Sequence, residues 1–194
     1  MAEPAPTKRM NAQEFAVWEQ TQVERHELVD GVPQLKFVEW DGPKMRVGAT
    51  NRHNLIVGNV FFRLKGQLPG SKCRSYAADG KINIPEGNIR YGDVSIDCEP
   101  LIPDSSDLSS PVAVVEVFSK STRWMDQNKK LHEYQTVPSL RYILLLLQSE
   151  MRGHLWTRTA SGWDMQELIG ADAIADFATI HAQFTLGEAY EDAL

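Results

Sequence analysis

The apolar positions of this chain fall into two rhythms, and the rhythms order its elements. From His53 to Leu68, the residues Ile56, Val57, Val60, Phe61, Leu64 and Leu68 recur at helical spacing. That pattern predicts an amphipathic helix, stopped by Pro69-Gly70. A shorter helix is expected over Asn11 to Gln20, where Asn11 can cap, Glu14 holds the capping-box position and Phe15 and Trp18 share a face. Between the two helices, apolar stretches flank Asp30-Gly31, a hairpin signal. Further strands are expected at Lys72 to Tyr76, Lys81 to Pro85, Tyr91 to Cys98 and Val112 to Phe118, with Ser105 to Pro111 as a loop. A helix over Thr122 to Thr136 follows, then a buried strand from Tyr142 to Leu147. Two strands around Ser161-Gly162 and a closing helix over Leu186 to Asp192 complete the order. No internal repeat or linker interrupts it, so one α/β (α+β) domain is expected over residues 11–194, behind a loose Pro- and Ala-containing tail at 1–10.

One residue breaks the pattern. Glu116 lies inside the apolar, β-branched run Pro111 to Phe118. A carboxylate in a buried strand is costly unless a metal ion, a cation or water compensates it. Strand alternation puts Glu116 on one face with Val112, Val114 and Phe118, and in the preceding strand Asp93 shares a face with Tyr91, Ser95 and Asp97. If the strands are neighbours, Asp93 and Glu116 converge. Paired carboxylates suit a hard divalent cation such as Mg²⁺ or Mn²⁺, the raw material of metal-assisted phosphodiester hydrolysis.

Composition narrows the class. Hydrophobic residues at 42% and charged residues at 24% are those of an ordinary soluble domain. No apolar run approaches the ~20 residues that span a membrane, so no membrane partner is expected. Lys8 and Arg9 are followed by no apolar core, unlike a secretory signal. Two cysteines, Cys73 and Cys98, form no CxxC pair; free thiols and a cytoplasmic location are the expectation. The five histidines show no zinc spacing. No nucleophile elbow, phosphate loop or dinucleotide fingerprint is present. Net charge is −6, yet residues 36–90 hold ten lysines and arginines against four acids, a net of +6. That segment is either a phosphate-facing surface or a solvated positive face. A homodimer would let two such segments line one groove.

The ordered set Glu27-Leu28-Val29-Asp30-Gly31, His53 at a helix start, Gly92-Asp93-Val94, Val115 to Thr122, Asp126, Lys130, Tyr134, and Val137 to Tyr142 resembles the Uma-two family of restriction-endonuclease-like proteins in the PD-(D/E)xK superfamily. Leu186 to Tyr190 resembles that family's end, so the likeness runs from about Phe15 to Tyr190. The resemblance implies a mixed β-sheet flanked by helices and an endonuclease acting on DNA. It places the metal-binding acids on Asp93 and Glu116, and a further acid of the site on Glu27. The superfamily's lysine two residues after the glutamate is Phe118 here; the family pattern moves it to Lys130, on a helix face with Asp126 and Tyr134. Lys120 and Lys129 are the alternatives. Two departures stand out: Gly92 replaces a proline before the aspartate, and Lys120 replaces a proline after the serine.

Other roles stay open beside these. Glu116 could be paired with Arg90 or Arg74, Glu27 could cap the hairpin or meet a lysine, and His53 could cap its helix. Asp97 is expected to face solvent near the strand end. Arg63 and Lys65 could touch phosphates, and an exposed Trp or the Tyr142 to Leu147 stretch could serve as a contact surface. The rival to an enzyme is a catalytically silent interaction module of the same fold.

Overall fold

Asn11 opens the first helix as the sequence requires. Its side chain accepts from the amides of Gln13 and Glu14, and Glu14 returns a hydrogen bond to the Asn11 amide. In a computed structural model, residues 9–36, 38–41, 44–47, 49–78, 80–118 and 124–194 are described, and for 38–41, 44–47 and 124–126 the backbone alone.

The elements run α1 (Ala12–Glu19), β1 (His26–Val29), β2 (Val32–Leu35), β3 (Val38–Asp41), β4 (Lys44–Val47), α2 (Asn51–Gln67), β5 (Arg74–Ala77), β6 (Lys81–Asn83), β7 (Ile89–Tyr91), β8 (Val94–Asp97) and β9 (Pro111–Phe118). Then come α3 (Trp124–Thr136), β10 (Tyr142–Leu147), β11 (Arg152–Thr159), β12 (Gly162–Ile169), β13 (Ile174–Phe177), β14 (Ala182–Thr185) and α4 (Leu186–Ala189). The main sheet has six strands in the order β12-β11-β10-β9-β8-β5, antiparallel except for the parallel pair β9 and β10. The link between those two is α3, because parallel neighbours need a crossover. A four-stranded sheet, β2-β1-β7-β6, stands beside it, and β3–β4 and β13–β14 form two-stranded ribbons. The result is a mixed α+β domain.

Two helices cover the main sheet. Ile56, Val60, Leu64 and Leu68 of the α2 segment pack on Val94, Ile96, Val115, Val117 and Leu144. Leu131 and Tyr134 of α3 pack on Val114 and Ile143, which point the other way. Glu116 lies on the α3 side with Val114. Phe15 of α1 joins Leu28, Ile89 and Tyr91 in a third apolar cluster. The hairpin turn at Asp30-Gly31 has both residues at positive φ, 51° and 78°, as a two-residue turn of that type demands. The amide of Met10 donates to Gly31 O at 2.8 Å, which ties the chain before α1 to this turn.

Several expectations are corrected. The stretch Tyr91 to Cys98 is not one strand. β7 belongs to the four-stranded sheet and β8 to the main one, and the chain passes between them at Gly92-Asp93. Cys73 and Cys98 form a disulfide and are not free thiols. Arg74 pairs with Asp97 in the antiparallel ladder, so the next residues outward face each other. The thiol-based argument for a reducing compartment goes with them. The Tyr142 to Leu147 stretch is β10, flanked by strands on both sides and mostly buried, and offers no contact surface. The pairing of β8 with β9 steps from Ile96↔Ala113 to Asp97↔Pro111, leaving Val112 as a bulge. No helix among the described residues is long and apolar enough to cross a membrane.

Candidate functional site

The site grows from the kink at Gly92-Asp93. A Cβ on Gly92 would lie 2.5 Å from Val114 Cγ2 and 2.8 Å from Ser95 Oγ, so Val114 packs against the bare backbone there. A proline there, like any residue with a Cβ, would collide with Val114 as it is packed. Asp93 is then fixed on every side. Its amide donates to Val115 O at 3.1 Å, and its carbonyl accepts from the Ala78 amide at 2.9 Å. Its Oδ2 accepts from the Val117 amide at 2.9 Å and from His53 Nε2 at 3.1 Å. His53 stands in the first turn of α2, whose N-terminus Thr50 caps through the His53 amide. The sequence offered helix capping for His53; the ring reaches Asp93 instead.

Glu116 meets Asp93 on the same sheet face because β8 and β9 are neighbours in register Val94↔Val115. The Glu116 carboxylate is 3% exposed. Tyr134 donates its hydroxyl to Glu116 Oε1 at 2.6 Å, and Lys130 Nζ lies 2.8 Å from the same oxygen. Tyr134 and Lys130 are one turn apart on α3, which explains why they arrive together. Lys130 also reaches Glu27 Oε1 at 3.1 Å. Glu27 is saturated: Arg90 donates to its Oε2 at 2.8 Å and the Tyr91 amide to its Oε1 at 3.1 Å. Arg90 turns its other side to Glu133 at 2.5 Å, and Asn88 donates to Glu133 Oε1 at 2.7 Å.

The structure thus brings Glu27, Asp93, Glu116 and Lys130 into one cluster. Lys129 points away and pairs with Asp30 at the surface. Lys120 lies outside the described residues, and for Asp126 only the backbone is described. Glu116 pairs with Lys130 and with neither Arg90 nor Arg74; Arg74 bonds the carbonyls of Lys72 and Glu99. Asp97 is buried rather than solvent-facing, and its carboxylate accepts the amides of Glu99 and Ser110. It organises a loop and is no ligand. Four residues escaped the sequence reading or were misread there: His53, Lys36, Arg90 and Glu133. Arg90 could have been flagged, since it interrupts Ile89 and Tyr91 as Glu116 interrupts its own strand. Lys36 carried no such signal.

Electrostatics follow from burial and neighbours. Burial pushes Glu116 up; Lys130 opposes this, but Asp93 and Glu27 add to it, and the carboxyl titrates above its ordinary value. Burial also pushes Asp93 up, yet the His53 hydrogen bond and charge, with Lys36 and Lys130, hold it below the usual range. Glu27 behaves alike: Lys130 and Arg90 overcome its burial and hold it low. Burial works against the Lys130 ammonium, but Glu116 and Glu27 outweigh it and keep the charge. The opposite directions of Glu116 and Lys130 are consistent. One ammonium shared by two carboxylates is doubly favoured, while each carboxylate receives only part of it. Burial draws the Lys36 ammonium down despite Asp93 and Glu116 nearby.

The donor set can be tested against a metal. Glu27 and Glu133 are occupied by Arg90, Lys130 and Asn88. Among the described residues, Asp93 Oδ1 and Glu116 Oε2 accept no hydrogen bond, and no guanidinium covers them. No group of three or more His, Cys, Asp or Glu side chains takes up a metal-holding arrangement among the described residues. A hard cation at this cluster would have to rest on two carboxylates with water completing its shell, the mode Mg²⁺ prefers. The side chain of Lys130 is 14% exposed, against 5% for Glu116 and Asp93, so the cluster opens on the Lys130 side. Of the ten cations in the basic segment 36–90, several are engaged within the fold. Arg52 holds Ala193 O, Arg63 pairs with Glu188 and Glu191, Lys81 pairs with Asp107, and Arg90 and Lys36 are buried in the cluster.

Known proteins resemble this chain in sequence and in fold. Two proteins of Synechocystis sp., slr1290 and sll1609, both named as uncharacterized, are similar to the chain. The first is 29% identical over 160 residues, 81% of this chain and 79% of that protein; the second is 26% identical over 181 residues, 90% and 96%. The crystal structure of a protein from Anabaena variabilis, titled a "putative nuclease", shares the fold with a TM-score of 0.71 at 13% identity, covering 95% of this chain and 99% of that one. The Uma2 family model, described as "Putative restriction endonuclease", matches residues 12–186. With most of its length inside that match, the chain belongs to the Uma2 family.

Proposed function

We propose that this protein is a metal-dependent endonuclease that hydrolyses DNA phosphodiester bonds, with Asp93 and Glu116 holding one Mg²⁺ or Mn²⁺ ion. The observation that carries the reading is the pairing at Glu116. Lys130 stands 2.8 Å from one of its oxygens while the other oxygen, like Asp93 Oδ1, is left to a further ligand. A bound divalent ion supplies Lewis-acid polarisation of a phosphoryl oxygen and acidifies water.

The chain's own groups do the rest. His53 and the Val117 amide fix Asp93 Oδ2, which leaves Oδ1 aimed. Tyr134 holds the Glu116 rotamer through its hydroxyl. Lys130, charged and on the open side, orients an attacking water and stabilises negative charge as it develops at phosphorus. Glu27 touches no substrate in this scheme; it anchors Lys130 from behind while Arg90 neutralises it. Membership of the Uma2 family supports a nucleic-acid substrate. A homodimer and a preference for DNA over RNA belong to the same proposal. Incubation with plasmid and labelled DNA or RNA oligonucleotides in Mg²⁺ or Mn²⁺ is the test, beside Glu116→Ala and Lys130→Ala. Cleavage of DNA that both substitutions abolish is expected. Absent cleavage, or cleavage that survives both, sinks the reading.

A second reading is a silent interaction module of the same fold. One observation favours it: every acid of the cluster already has a cationic partner within 4.0 Å. Calorimetric titration separates the two, because a module of that kind takes up neither Mg²⁺ nor Mn²⁺.

A further inference from the structure

Lys36 lies just past β2, outside every motif of the family resemblance, and yet its side chain is 2% exposed. Its ammonium donates to Ala78 O at 2.7 Å and to Gly92 O at 3.4 Å, that is, to the residue past β5 whose amide bonds Asp93 O and to the kink itself. It stands 4.0 Å from Asp93 Oδ1, the oxygen that the His53 and Val117 contacts leave open. So deep a side chain cannot touch a substrate. Whatever Lys36 does, it does through Asp93.

We infer that Lys36 is a resident cation of the Asp93–Glu116 centre, a built-in competitor that weakens the centre's hold on its divalent ion. This inference rests on the metal reading above and deepens it. The charge count makes the argument. Glu27, Glu133, Asp93 and Glu116 face Arg90, Lys130 and Lys36, with His53 beside Asp93. Arg90 and Lys130 already serve Glu27 and Glu133, and Lys130 serves Glu116 as well. Among the described lysines, Lys36 is the one that pairs with Asp93, at 4.0 Å from Oδ1. Its charge acts on a dication at the same oxygen with little screening, because both are buried. A second divalent ion at the centre would meet that repulsion with no further carboxylate of the described cluster to offset it. The centre accordingly loads one ion, and loads it only where the free ion is plentiful. Lys36 is a positioning and charge-setting residue, not a catalytic one.

Titration of the full chain with Mn²⁺, followed calorimetrically and by the loss of free-ion paramagnetic signal, tests this directly. Wild type is expected to bind one ion, with binding lost in Asp93→Asn. Lys36→Met is expected to bind at least about tenfold more tightly, since one unit charge is removed from a poorly screened site. A role as a mere strut for the kink predicts the reverse, a lower melting temperature and looser binding. Should Lys36→Met fail to fold, Lys36→Gln gives the same comparison, as its amide can still serve the Ala78 and Gly92 carbonyls. Affinity that is unchanged or weaker in a folded neutral variant overturns the inference and leaves the metal reading standing. Binding in the neutral variant alone upholds the inference and sinks the nuclease reading for wild type. Binding in neither overturns both.

Discussion

Glu116→Gln separates the cost of the buried carboxylate to the fold from its value to the site. Lys130 at 2.8 Å attracts the charge by about 6 kcal/mol at an effective dielectric constant near 20. That attraction is gross. Lys130 is shared with Glu27 at 3.1 Å, Glu116 is 3% exposed, and Asp93 and Glu27 repel it. The opposing sum wins, since the Glu116 carboxyl titrates above its ordinary value. A glutamine keeps an oxygen for the Tyr134 hydroxyl and the Lys130 ammonium and removes the charge. Because folding disfavours the charged form, the neutral replacement stabilises the fold at pH 8 by about 1.4 kcal/mol for each pH unit by which the carboxyl is raised, and a domain of this size shifts by about 2 to 4 °C per kcal/mol. The pH dependence has a definite sign. A carboxyl whose folded pKa is raised stabilises the fold below its unfolded value, and that contribution is lost as pH rises through the folded value. Wild type and variant should therefore melt nearly together near pH 4, and the variant should melt higher at pH 8. Circular-dichroism melts in EDTA give the comparison. Addition of Mn²⁺ should then raise wild type and leave the variant unmoved. A variant that melts below wild type at pH 8 would mean that the Lys130 pair dominates, and the account of the cluster as a strained, ligand-awaiting site would be wrong.

Arg90→Met strips the cation from Glu27 and Glu133, both under 10% exposed, and should cost about 3 to 5 kcal/mol, read by scanning calorimetry as a fall of about 6 to 20 °C. A loss under about 1 kcal/mol would show that Lys130 and Asn88 suffice for those acids. Gly92→Ala forces a methyl to 2.5 Å from Val114 Cγ2, so the urea midpoint should drop by the equivalent of about 1 to 3 kcal/mol. Adding Val114→Ala should return part of that loss, and independence of the two substitutions would refute the packing argument.

The parts of this molecule that sequence exposes are those written in local pattern. The capping box at Asn11, the turn at Asp30-Gly31 and the α2 stripe all follow from neighbours three or four residues apart. Glu116 and Lys130 were legible for a related reason: an acid in an apolar strand and a lysine on a defined helix face stand out against their own segments. The rest depends on pairings no window contains. The break of Tyr91 to Cys98 into two strands of different sheets is set by what packs on Gly92, and that is Val114, twenty-two positions on. Cys73 and Cys98 look unrelated in sequence and become opposite neighbours only through the β5–β8 register. His53 reaches Asp93 across forty residues, and Lys36 reaches the same aspartate from the far side of the hairpin. Residues 36–90 show the same lesson for charge. Four of the cations counted along the chain, Arg52, Arg63, Lys81 and Arg90, are taken up by ion pairs or a carbonyl contact once the chain is folded.

The bulge at Val112 acts as a phase-setter for everything downstream of it. From there the alternation of β9 runs unbroken to Glu116, so deleting or adding one residue between the two would rotate the carboxylate through the sheet and into the apolar layer under α2. The exposed residues 99–104, on the far side of the bulge, carry no such constraint. Insertions and grafted peptides in that connection should leave the spacing of the two acids untouched.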